Sequence, residues 1–189
     1  GFDHIGGRLF GRWIDGPTGR VILTLNLKKR AFEWLDEKQN VLDTLPVQKK
    51  SLGQLEKAVS KYPETPKILK DEFFSPLHFE IPDYGIESIG ENDLSDEGMQ
   101  QWTYFRSLAN NACRQMLDYL QKAEEIRIWP HHFDTGIYTM ATNELGLGFG
   151  LAIEDAMVGQ PYFYLSGYNQ VTPISYENPE QLTYGSWET

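Results

Sequence analysis

The chain has 189 residues, with 17 Lys and Arg against 27 Asp and Glu, a formal charge of −10. Its 40% hydrophobic and 13% aromatic content is too rich for disorder, and its acidity argues against a nucleic-acid partner, whose phosphates most of the surface would repel. One cysteine excludes a disulfide framework and a cysteine-based zinc ribbon. The length suits a single α+β domain over 1–189. No run of about 18 apolar residues occurs, so neither a membrane-spanning helix nor a membrane partner is expected. The first ten residues mix Asp3, His4 and Arg8 with glycines and carry no signal-peptide pattern. Gly1 reads as the remnant of a tag, a trimmed leader or an upstream domain, and the cytoplasm is the default compartment.

Residues 1–19 hold six glycines and read as an irregular lead-in. Val21, Leu23, Leu25 and Leu27 alternate with Ile22, Thr24 and Asn26, the period-two pattern of a half-buried strand. Arg30–Leu35, with Phe32 and Trp34 on one face, and Val41–Leu45 complete a β-meander over 20–50. Ser51 and Gln54 have the spacing of a capping box, which opens a short helix over 51–62. Thr65-Pro66 suits another helical turn, Leu77–Ile81 a short strand, and Pro82 through Asp93 an acidic loop. Ser95 as N-cap, with Asp96 and Glu97 in the first turn, starts a core helix running to about Glu124. Its apolar stripe includes Trp102, Ala109, Cys113, Met116 and Leu117 and reads as packing rather than a cofactor site. A C-terminal antiparallel sheet over 125–168 follows, with strands at Glu125–Trp129, Phe133–Ala141, Leu145–Ile153 and Pro161–Gly167. Residues 169–189 form a surface tail carrying Tyr184 and Trp187.

Leu145–Ile153 alternates bulky apolar residues with Gly146, Gly148, Gly150 and Ala152. A three-residue connection at Thr142–Glu144 places Tyr138 across from Gly148, Gly136 from Gly150, Asp134 from Ala152 and His132 from Glu154. Phe133, Ile137, Phe149, Ile153 and Phe163 then share an apolar face. The opposite face is a glycine floor edged by Tyr138, Tyr162, Tyr164, His132, Asp134 and Glu154. Such a floor lets a ligand or another backbone approach closely, and aromatic walls with a few polar groups are typical of small-molecule pockets. The same face could instead receive the long helix or the meander.

His132, Asp134 and Glu154 supply an imidazole and two carboxylates, which would suit zinc, iron or manganese as a divalent cofactor. A second histidine ligand would have to come from His78 or His131. The same trio could do acid–base chemistry, with a carboxylate orienting His132. Cys113 lies mid-helix, and no serine sits in a G-x-S-x-G elbow. Gly146-Leu147-Gly148-Phe149-Gly150 lacks the strand–turn–helix context of a dinucleotide site.

The string Trp129-Pro130-His131-His132-Phe133-Asp134, followed by Pro161-Tyr162-Phe163-Tyr164, resembles an uncharacterised group of bacterial proteins. In these a long helix precedes a strand ending in a W-P-x-H-F-D-like signature. The resemblance spans about residues 95–168 and implies a bacterial domain in which His132, Phe133 and Asp134 matter together, without implying a reaction. Two functions follow: a small-molecule or metal-binding pocket on the glycine-lined face, or a non-catalytic interaction module whose exposed aromatics, including Tyr184 and Trp187, meet a partner chain.

Overall fold

A computed structural model describes residues 1–3, 5–16, 18–61, 80, 85–90, 93–130, 132–155, 158–169, 171–172, 174 and 181–187. The turn expected at Thr65-Pro66 lies outside them, as does the strand expected at Leu77–Ile81 except for Glu80. The fold is α+β, and its contacts group the chain into two compact units, Gly1–Ser107 and Leu108–Thr189. No helix among the described residues is long and apolar enough to cross a membrane.

The first unit is built on a five-stranded antiparallel sheet in sequence order: β1 (Phe2–Asp3), β2 (Arg8–Gly16), β3 (Gly19–Asn26), β4 (Ala31–Asp36) and β5 (Val41–Pro46). The lead-in is therefore not irregular. Arg8 through Gly16 pairs along β3 from Arg8↔Asn26 to Gly16↔Gly19, with a bulge between Phe10 and Trp13. Gly11 marks that bulge: a Cβ there would stand 3.0 Å from the Leu23 carbonyl oxygen. Val21 and Trp34 form the core with Val59, and Ile14, Leu23, Phe32 and Leu45 pack against them. Strand β3 is also more than half-buried, because Thr24 and Asn26 on its polar side are buried as well.

Next come β6 (Lys50–Ser51), α1 (Leu52–Val59) and β7 (Ser88–Ile89), which pairs with β6 inside the stretch expected to be loop. The capping box is present. The Gln54 amide N–H donates to Ser51 Oγ at 3.2 Å, and the Ser51 N–H donates to Gln54 Oε1 at 2.9 Å. Ser51→Ala removes one of these bonds and should cost the first unit about 1 kcal/mol, read as a lower urea midpoint with an unchanged slope.

Helix α2 (Asp96–Leu120) begins in the first unit and ends in the second. Ser95 Oγ accepts the Gly98 N–H at 3.0 Å, Arg30 pairs with Asp96, and Trp102 meets Phe2 edge-on at 5.9 Å. The apolar stripe contains a buried Arg106, its guanidinium 4.5 Å over the Trp102 ring. The helix stops four residues short of Glu124. Gln121 turns left-handed at φ 54°, its N–H donates to the Asp118 carbonyl, and the Lys122 N–H donates to that of Leu117. This pair of bonds satisfies the last carbonyls and ends the helix without a glycine.

The second unit carries β8 (Arg127–Trp129), β9 (Asp134–Met140), β10 (Leu145–Ala152) and β11 (Tyr162–Asn169), arranged β11-β10-β9-β8 and antiparallel. Strands β9 and β10 pair in the register expected from the bulky-and-bare alternation, with Tyr138↔Gly148, Ile137↔Phe149 and Gly136↔Gly150. The C-terminal half of α2 packs on the apolar face, where Cys113, Leu117 and Ile137 form the core with Met116, Ile126 and Phe149. Two aromatics expected in this interior are not buried. Phe133 sits in a turn at φ 53° and is exposed, while Phe163 stacks on Phe149 at 5.8 Å but keeps 44% of its surface.

Candidate functional site

The glycine face is not a bare floor. Tyrosines from the same sheet lie across it, an arrangement in which an aromatic ring shields a glycine in a neighbouring strand. Tyr164, paired with Gly150, extends its hydroxyl over Gly150 and Gly136, 2.7 and 2.6 Å from where their Cβ atoms would stand. The Tyr138 ring lies over Gly146, and Tyr168 Cε2 is 3.1 Å from the Cβ position of Gly148. Tyr138 and Tyr168 meet edge-on, their centroids 5.8 Å apart and their planes at 61°. The rings leave a cleft of about 180 Å³, lined by Trp129, Ile137, Tyr138, Gly148, Tyr164 and Tyr168.

Trp129 reaches this face because β8 pairs Trp129 with Asp134, and cross-strand partners project to the same side. Asp134 is 6% exposed and accepts a short hydrogen bond from the Tyr164 hydroxyl. Burial, that hydrogen bond and the Asp134 charge push the Tyr164 phenol well above its ordinary range. It stays a neutral donor at any physiological pH. Tyr162 points its hydroxyl elsewhere, to Asp155 Oδ2 at 2.6 Å, and that bond, more than its burial, pushes the phenol up to about 12. On the helix side Cys113 is fully buried, with Sγ 3.8 Å from the Phe149 carbonyl oxygen. Burial first, then the Asp134 charge, pushes its thiol up to about 12, which leaves no thiolate for nucleophilic work at neutral pH.

Of the residues expected at the site, Tyr138, Tyr164 and Gly148 line the cleft, and Gly150 lies beneath Tyr164. The proposed trio does not assemble. Paired residues of β9 and β10 reach only to Thr135↔Leu151, so His132 is not set across from Glu154. His132 sits exposed in the turn between β8 and β9, and Glu154 lies exposed beyond the end of β10. Among the described residues no three His, Cys, Asp or Glu side chains converge as metal ligands. Acid–base chemistry built on strand alternation through His132 loses its geometric basis for the same reason. His78 and His131 lie outside the described residues.

Trp129 and Tyr168 were not among the expected site residues. Tyr168 continues the even-numbered series of Tyr162 and Tyr164 in a strand that runs on to Asn169 instead of stopping at Gly167. Trp129 could have been found by folding the string that ends at Asp134 back on itself as a hairpin.

No family model, curated protein or solved structure matches this chain. The functional reading therefore rests on the site itself.

Proposed function

We propose that the second unit is a small-molecule-binding module, with the tyrosine-lined cleft on the glycine face as its site. The observation that carries this reading is the cleft: four aromatic rings around a glycine, one of them, Tyr164, donating to the buried Asp134 carboxylate. Concave aromatic walls with few, fixed polar groups are how proteins hold small organic ligands. The volume is below the roughly 300 Å³ at which drug-sized pockets begin, so the fitting ligand is one small group. Binding rather than turnover is favoured, because the nearest thiol is a buried core group on the other face and Asp134 is engaged by Tyr164.

A ligand-observed NMR screen of small ring compounds and small organic cations tests the reading. Binders should lose at least about tenfold in affinity with Trp129→Leu, since an aromatic wall supplies much of the contact, and should be unaffected by Leu165→Ser. An empty screen, or binders indifferent to Trp129, would sink it.

The interaction-module reading has its own support. Phe163 and Leu165 share one face of the sheet's outermost strand and are 44% and 60% exposed, and Tyr184 is 91% exposed. Leu165→Ser separates the two, because a partner on that face would be lost while the cleft ligand is kept.

A further inference from the structure

Resting on the small-molecule reading, we infer that the cleft takes a methylated ammonium cation, the head group of a choline-like compound. The cleft's walls are the rings of Trp129, Tyr138, Tyr164 and Tyr168, and among the described residues no charged side chain lines it. A cation within about 6 Å of such ring faces is held by their quadrupoles, most strongly by tryptophan. Tyr138 and Tyr168, at 61° to each other, form a corner rather than a flat stack. A corner suits a rounded cation better than a planar ring, which would lie against only one wall.

Electrostatics point the same way. The Tyr164 hydroxyl donates to the Asp134 carboxylate, which shifts electron density into the ring and deepens its negative face. The carboxylate places a formal negative charge one hydrogen bond behind that wall, and the chain's charge of −10 attracts cations at longer range. Among the described strand residues, Arg127 is a positive group on the same face, across from Gly136. It is turned to Glu125 at 3.2 Å and does not line the cleft.

Methylation is what the lining selects. A bare ammonium brings three N–H donors, each of which needs an acceptor once desolvated. The lining side chains offer such donors only phenol oxygens, weaker acceptors than a carboxylate, and the nearby Asp134 carboxylate already accepts from Tyr164. A quaternary ammonium has no donors to satisfy and presents only methyl groups, polarised positive, to the rings. The cleft's 180 Å³ holds such a head group and little more.

The test is an NMR titration of the whole chain with tetramethylammonium and choline, alongside 3,3-dimethylbutan-1-ol, the neutral isostere of choline. Both cations should saturate at a Kd on the order of 1 mM, shifting the Trp129 indole signal, which a Trp129→Leu spectrum assigns. The isostere, and ammonium itself, should bind at least about tenfold more weakly, as should either cation to Tyr138→Ala or Tyr168→Ala. Both tyrosines are partly exposed, so both variants should keep the native circular dichroism spectrum. An isostere that binds as well as choline overturns the cation while leaving a small-molecule site standing. If neither cation nor isostere binds, the site falls with it. Sedimentation with dioleoylphosphatidylcholine vesicles, without any response to free choline, overturns the assignment to a soluble compound in favour of a lipid surface.

Discussion

Gly150→Ala is expected to destabilise the C-terminal unit by about 3 kcal/mol, the upper part of the range for overpacked sites. A Cβ at this position would stand 2.5 Å from the Thr135 carbonyl oxygen, 2.8 Å from Gly136 Cα and 2.7 Å from the Tyr164 hydroxyl. Two of these three atoms are backbone of the paired strand β9, so relief requires the sheet itself to part. A glycine-to-alanine change elsewhere commonly stabilises by about 0.4–1 kcal/mol through the unfolded chain, and here steric conflict overrides that gain. The other glycines of the floor should be graded by what lies over them. Gly136→Ala conflicts with the Phe149 carbonyl oxygen at 2.9 Å and with the Tyr164 hydroxyl, and should be the next most costly. Gly146→Ala meets the Tyr138 ring first, and that ring is 39% exposed and can swing outward. Gly148→Ala asks Tyr168 to give by a few tenths of an ångström. Urea unfolding of the four variants checks the order. A Gly150→Ala protein as stable as the parent would mean that the strands are not this close.

The same floor explains what the sequence did and did not disclose. The β9–β10 register was legible because the contrast between glycine and large apolar residues is the strongest period-two signal a strand can carry, and a one-residue slip would invert it. Less obvious was what fills the space above the glycines. Tyrosines from both neighbouring strands lean diagonally across β10, so the face became a narrow cleft rather than an open platform. The placement of His132 failed for a local reason. Phe133 adopts φ 53°, and a single left-handed residue breaks the alternation on which a shared face for His132 and Asp134 depended. Strands β1 and β2 were hidden for the opposite reason. Arg8–Gly16 has weak periodicity of its own and becomes a strand by pairing with β3, where tertiary context overrides propensity.

That pairing also helps to bury a carboxylate in the first unit. Glu33, in β4, is completely buried, and its carboxylate is held by three donors. Oε2 accepts from Arg8 Nε and from Asn26 Nδ2, each at 3.0 Å, and Oε1 accepts from Lys29 Nζ at 2.7 Å. Thr24 Oγ1 donates to the Glu33 carbonyl oxygen at 3.0 Å, which ties the same residue to β3 through its backbone. Glu33→Ala should cost about 3 kcal/mol, the lower part of the range for breaking a buried ion pair. The lower part applies because Lys29 is 57% exposed and Arg8 24%, so both cations can recover hydration. Asn26 cannot. It is 4% exposed, and its stranded amide accounts for about 1–3 kcal/mol of the loss. Glu33→Gln keeps an acceptor for Asn26 and should cost roughly half as much as alanine on the same reasoning.

The pH dependence has a definite sign. Burial alone would raise the Glu33 carboxyl, but the hydrogen bonds from Lys29, Asn26 and Arg8, together with the Arg8 charge, outweigh it and hold the folded value below the ordinary 4.5. The folded state therefore binds the proton less readily than the unfolded chain. The resulting stabilisation is complete above pH 4.5 and is lost as the pH falls through the lowered folded value. Urea midpoints of parent and Glu33→Gln should thus differ most at neutral pH and converge as acid protonates the parent carboxyl. A gap that is unchanged down to pH 2 would mean that the buried carboxylate is not what links β2, β3 and β4.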